Sequence, residues 1–308
     1  MANSKDSTQD PPVDDVIRDL AVAECAARGV AVVVARHEEG YQLTLPDGYV
    51  MFLVNVTRIA KGAAREQWPA LVAQHIAAHL GIKQQTPPEG LTREELRTRV
   101  MTRLVGSDKD RWVDHEYARA FAPGVVQVLC VDYPQTVATL SDRSIPQMAM
   151  TLDEMYEQGQ KNTDAEALDR LFQIDEYVHG LAGDSLFVAS KAANFRALVP
   201  DVIGPAPLGV AFALPNRGLM LYSIITQDDW MVQLMQLTHV IDSIAFDPDF
   251  HHPGGLISRY AYYWAPDGTV ERIGGRYFAL DGKPTISILP TGKFSQYVRV
   301  GASTVREI

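Results

Sequence analysis

The chain has 308 residues, 46% of them hydrophobic, enough for one large or two ordinary domains with a sizeable core. A formal net charge of −10 argues against nucleic acid or an anionic membrane as partner, because both need clustered Lys and Arg. Cys25 and Cys130, the only cysteines, make neither a disulfide framework nor a metal pattern, and no apolar run reaches the ~18 residues of a membrane span.

Residues 1–12 are polar and end in Pro11-Pro12; they read as a disordered N-terminus rather than a secretory leader. A cytoplasmic location is the simplest expectation. From Val13 to Arg28 the apolar positions keep helical spacing, with Gly29 as C-cap. Strands are expected at Val30–Ala35, Tyr41–Leu45 and Tyr49–Val54, the last two joined by the turn Pro46-Asp47-Gly48. A helix is expected from Arg65 to Leu80, ended by Gly81. Thr92 to Glu95 has the capping-box pattern, and Leu96, Val100 and Leu104 continue its helical spacing. The arginines at 93, 97, 99 and 103 then fall on a solvated helix face, interleaved with Glu94 and Glu95.

Val125–Val131 and Thr136–Leu140 read as a hairpin around Tyr133-Pro134-Gln135. A second capping box, Thr151 to Glu154, starts a helix to Asn162, and a third, Thr163 to Glu166, restarts it. Leu171–Ile174 and Tyr177–Leu181 are strand candidates, and Asp184 is placed to cap a helix through Phe195. Leu208–Leu214 and Leu219–Ile225 form the clearest hairpin, broken by Pro215-Asn216-Arg217-Gly218. It leads into a long helix, Asp228 to Phe246, that is apolar on more than one face and so expected to be buried on two sides. Arg259–Trp264 and Thr269–Ile273 form another hairpin, with further β-structure near Tyr277 and Ile286 about the turn Asp281-Gly282.

Strand, turn, strand, long helix recurs at 41–80, 125–162 and 208–246. Such a unit has one apolar sheet face and one apolar helix stripe, and these can cover each other. The expected fold class is α+β, with repeated strand-turn-strand-helix units and antiparallel sheets covered by helices. The expected organisation is an α+β unit at 13–83, a linker at 84–91, a main domain at 92–273, and a β extension and tail at 274–308.

Leu186-Phe187-Val188-Ala189-Ser190-Lys191, Leu208-Gly209-Val210, Leu214-Pro215-Asn216-Arg217, and Ser258 with Tyr260, Trp264 and Asp267-Gly268 resemble motifs of the YtpQ-like family, a domain of unknown function. Weaker echoes are Phe52-Leu53-Val54-Asn55 and Glu154 to Asn162, where Lys161 departs from the family's usual apolar context. The resemblance covers about residues 45–272. It implies an α+β protein and brings no activity, cofactor or catalytic residue.

Chemistry-bearing residues are sparse. His75 and His79 have the i, i+4 spacing of two metal ligands, but Ile76 stands where a zinc protease has Glu; His37, His115 and His179 are the remaining histidines that could approach them. Asp247, Asp249 and His251 sit in a polar loop after the long helix and could hold a cation. Ser190-Lys191 lacks the Ser-x-x-Lys spacing of acyl-transfer enzymes, and neither Gly-x-Ser-x-Gly nor a glycine-rich phosphate loop is present. Arg217, at a tight hairpin tip beside Asn216, suits recognition of a carboxylate or of an acidic patch, with a structural salt bridge as the competing role. Residues 142–176 hold nine acidic and three basic side chains, a face where a basic partner protein could dock.

The leading expectation is a non-enzymatic protein-binding or accessory module, immunity-like in that an acidic surface neutralises a basic partner, with no cofactor or metal. The binding residues are Asn216, Arg217, Asp247, Asp249 and His251. An enzyme or small-ligand receptor assembled in space from His179, His239, Arg217, Asp247 and His251 is the alternative. A structural role, with the aromatic strand Tyr260–Trp264 as an oligomer interface, is a third.

Overall fold

The computed structural model describes residues 11–37, 40–46, 48–82, 85–107, 115–134, 136–247, 250, 252–278 and 284–300. The turn positions 47, 135 and 281–282 and both chain ends lie outside these residues. The chain is α+β, with eight α-helices and fourteen antiparallel strands among the described residues. It divides into two compact units between Thr86 and Pro87.

The first unit opens with α1 (Val13–Ala27). Gly29 turns the chain out of it at φ +72°, and the Val30 N–H donates to the Cys25 carbonyl, closing the last turn. Strands β1 (Val33–His37), β2 (Gly40–Thr44) and β3 (Val50–Phe52) form a sheet in that order. The third strand stops earlier than expected, because Leu53 starts a helix, α2 (Val54–Lys61), without any side-chain cap. A 3-10 turn, Arg65–Gln67, then leads into α3 (Trp68–Ile82), which runs through Gly81 instead of ending there. Ile17, Ala21 and Cys25 of α1 meet Leu43, Met51, Val56, Val72 and Ile76 in one core.

In the second unit the Thr92 capping box forms with both reciprocal bonds and starts α4, but that helix spans only Arg93–Arg99. Val100–Gly106 is a strand, β4, not a continuation of the helix. It pairs along its whole length with β6 (Val125–Tyr133), and the far edge of β6 is shared by β5 (Arg119–Ala122) and β7 (Thr136–Thr139). The Thr151 box likewise forms and starts α5 (Leu152–Ala165). This helix is unbroken: Thr163 does not restart it but is buried within it, its hydroxyl donating to the Thr102 carbonyl. Leu129, Val131, Met155 and Tyr156 pack α5 on one face of this small sheet. The helix thus covers β4 more than its own preceding hairpin.

The large sheet has seven strands. They are β8 (Arg170–Gln173), β9 (His179–Ala182), β10 (Val210–Asn216), β11 (Leu219–Ile224), β12 (Ala261–Trp264), β13 (Val270–Phe278) and β14 (Pro284–Ile288), in the spatial order β14-β13-β12-β10-β11-β9-β8. One strand, β13, runs across residue 273 without interruption. Between β9 and β10, Asp184 caps nothing; the chain passes through a 3-10 segment, Val188–Asn194, a single helical turn, α6 (Phe195–Leu198), and a π-turn, Val199–Ile203. That segment covers one sheet face, where Phe195, Phe212, Tyr262 and Trp264 stack. The opposite face holds α7 (Trp230–Phe246), whose Leu234, Leu237 and Ile241 are fully buried, with Phe294 of the short α8 (Phe294–Tyr297) beside them. Both flanks of β12 are paired, and Tyr262, Tyr263 and Trp264 are divided between these two cores. Its aromatic residues therefore fill the interior, which corrects the expectation of an interface on that strand.

Candidate functional site

The hairpin of β10 and β11 ends at Asn216-Arg217-Gly218. Asn216 does not project: it is buried, and its Oδ1 accepts the Gly218 N–H at 3.0 Å, so the amide builds the turn. Arg217 does the reverse. Its carbonyl accepts the Ala189 N–H at 3.0 Å, fixing the backbone. Its half-buried side chain lies over Gly254, where a Cβ would collide with Nη1, Cδ and Cζ. Gly254 also has φ +71°, a second reason for glycine there. Among the described residues the Arg217 guanidinium has no ion pair and no hydrogen bond. The competing role, a structural salt bridge, is not seen among the described residues. Burial, and then the positive charge of Arg103, lower its pKa to about 10, so it stays charged at neutral pH.

Arg103 is not on a solvated helix face. It sits inside β4 and is 5% exposed. Its Nη2 donates to Thr139 Oγ1 at 2.5 Å, while Nε is buried with no hydrogen-bond partner. A guanidinium is always protonated, so this is a buried cation without an ion pair among the described residues.

Backbone geometry brings the two arginines together. The Leu104 N–H donates to Ser190 Oγ at 3.0 Å, one residue from the Ala189–Arg217 bond. Phe187 packs on Met101 and Cys130, the cross-strand pair next to Arg103. On the other side the Ile257 and Ser258 N–H groups donate to the Pro215 and Leu214 carbonyls. The site is thus walled by β4, the hairpin tip, residues 186–190 and the loop 252–258. Burial pushes the Cys130 thiol up to about 11, so it is a neutral wall group despite both arginines nearby. Asp132, two residues along β6, is itself raised by burial and then by Glu166; neither guanidinium bonds to it.

Protein-family models, curated proteins and solved structures contain no match to this chain.

Among the described residues, the other sequence candidates do not join this cluster. Asp247 is the C-cap of α7, and Asp249 and His251 lie outside the described residues. His75 Nε2 meets the Phe52 carbonyl at 3.0 Å, and His79 Nδ1 meets the Tyr49 hydroxyl at 2.9 Å. Burial lowers both pKa values, that of His79 to about 4, so both rings are neutral packing groups at pH 7. His179 stacks on Tyr222, His115 lies against Tyr117, and His239 is exposed on α7. No group of three His, Cys, Asp or Glu is placed to hold a metal among the described residues.

Ser190 is fully buried, and Lys191 Nζ donates to the Asp164 carbonyl at 2.6 Å. A groove beside Leu208, Gln227 and residues 295–299, about 400 Å³ in volume, gathers none of the sequence candidates. Most carboxylates of 142–176 are already engaged: Asp153 with Arg119, Glu154 with Arg93, Glu157 with Lys161, Glu166 with Ser185, and Asp175 with the Tyr177 and Val178 N–H groups.

Arg103 is the residue that sequence reasoning misplaced. The signal was present: Val100-Met101-Thr102-Arg103-Leu104-Val105 is an apolar, β-branched run with one cation at its centre. A strand buried on both faces shows no alternation, and its Leu96–Val100–Leu104 spacing coincides with a helix.

Proposed function

We propose that the chain is a non-enzymatic binding module that recognises an anionic group of its ligand through Arg217. The observation that carries this reading is a half-buried guanidinium at a fixed hairpin tip without a counter-ion among the described residues. An uncompensated buried charge costs stability, and a protein keeps such a cost where it serves function. The side chains that a nucleophilic enzyme would need at this place are otherwise occupied: Ser190 holds β4 and Lys191 holds the end of α5. A basic partner docking on residues 142–176 has less support, because those carboxylates are largely paired within the fold.

The test is thermal melting in a buffer poor in anions other than chloride, with sulfate or acetate titrated in, for the wild type and Arg217→Met. The wild type should gain stability in a saturable way, by about 2.7 kcal/mol when the anion is at a hundredfold excess over its Kd. Arg217→Met should start more stable and show no response beyond that of ionic strength. Identical titration curves for the two proteins would contradict the reading.

A further inference from the structure

A fixed Arg217 needs one counter-charge; the structure presents two cations. Arg103 is more deeply buried than Arg217, and the Ser190–Leu104 and Ala189–Arg217 bonds hold them on either side of one short segment. Arg103 Nε is buried and unbonded, and Arg217 offers its whole guanidinium. Asp132, two residues from Cys130 on β6, is the nearby carboxylate and bonds to neither guanidinium; Cys130 is a neutral thiol, Phe187 and Met101 are apolar, and Thr139 adds a hydroxyl oxygen. The Gly254 backbone closes over Arg217 with no side chain of its own.

A monocarboxylate would leave one of the two positive charges unbalanced in a water-poor setting. A tetrahedral dianion matches the charge and presents oxygens to two separate guanidinium planes, the arrangement by which arginines hold phosphoryl groups. We infer that Arg103 and Arg217 together form a binding site for a dianionic tetrahedral oxyanion of the phosphoryl class. This rests on the reading of Arg217 as an anion-recognition residue and adds the ligand's charge, its shape and the second arginine.

Isothermal titration of the full chain with inorganic phosphate, sulfate and acetate tests it. Phosphate and sulfate should each bind at one site per chain. Acetate should bind at least ~10-fold more weakly, the factor corresponding to one lost charge-assisted contact. Arg103→Met and Arg217→Met, each first shown by melting to be folded, should lower phosphate affinity by about tenfold or more. Arg217→Lys should fall between wild type and Arg217→Met, because it keeps charge and loses the fork; if Arg217→Met does not fold, this variant decides the role of residue 217. Acetate binding as well as phosphate, lost in Arg217→Met and kept in Arg103→Met, would overturn the two-arginine dianion site and leave single-arginine recognition standing. Absence of saturable binding for all three anions would overturn both.

Discussion

At the scale of single residues, burial decides what a charged group does. His79 and Arg217 illustrate it in opposite ways. His79 sheds its charge: its pKa falls from 6.5 to about 4 through burial and then the neighbouring His75. The neutral ring is the form that the fold selects, so its stabilising effect is complete above pH 6.5 and is lost as pH falls through 4. Denaturant unfolding of the wild type and His79→Phe between pH 7 and 4 should therefore converge, with the wild type losing more stability on acidification. A constant gap between the two over that range would show that His79 titrates in the fold as it does in the unfolded chain, and would contradict the shift. Arg217 cannot shed its charge at neutral pH, because about 10 is as far as burial lowers it. Its alternatives are a counter-ion or a standing cost, and the described residues supply no counter-ion. Asp242 shows the satisfied case. It accepts from Arg276 Nε at 2.7 Å and Nη2 at 2.6 Å, and Arg276 also stacks over Phe246. Asp242→Ala should lower stability in chemical denaturation, since it removes both charge-assisted bonds to Arg276.

At the scale of elements, local capping chemistry was the most readable part of the sequence. The boxes at Thr92 and Thr151 form as the spacing requires, and Thr151→Ala should cost about 1 kcal/mol. The hairpins around Pro46 and Arg217 were legible from turn residues between apolar runs. Less legible were elements in which tertiary burial overrides a local period. Val100–Gly106 kept a helical i, i+4 spacing yet is an edge strand buried on both faces, because α5 covers one face and Phe187 contacts the other. Thr163 had the residue type of a helix start yet serves as a buried bonding group. The segment 188–203, wound through 3-10, α and π turns, has no period to read. The site inherits this division. Arg217 was found because a turn displays it; Arg103 was missed because its strand was taken for a helix. Gly254 joins the two scales. Gly254→Ala should weaken phosphate binding by displacing Arg217 and should lower the melting temperature, since φ +71° disfavours a Cβ.

At the scale of the whole molecule, a net charge of −10 makes an anion site a local device. The long-range field of the chain repels anions, so association cannot be driven by steering. Attraction must come at short range, where burial strengthens two adjacent cations beyond what water allows. This is why composition argues against a nucleic-acid surface and yet says nothing of two neighbouring arginines. The seven-stranded sheet holds the Arg217 hairpin rigid: β10 and β11 are central strands, both faces of the sheet are packed, and Leu237→Ala beneath it should cost about 2–5 kcal/mol.

The guanidinium groups themselves can be observed. In a protein labelled with 15N-arginine, the Nε resonances of Arg103 and Arg217 are assigned by their loss in the Met variants and followed as phosphate is added. The account predicts that both shift together and saturate at one equivalent site, while the Nε of Arg276, held by Asp242, does not move. Resonances of Arg103 and Arg217 that stay fixed at saturating phosphate would contradict it.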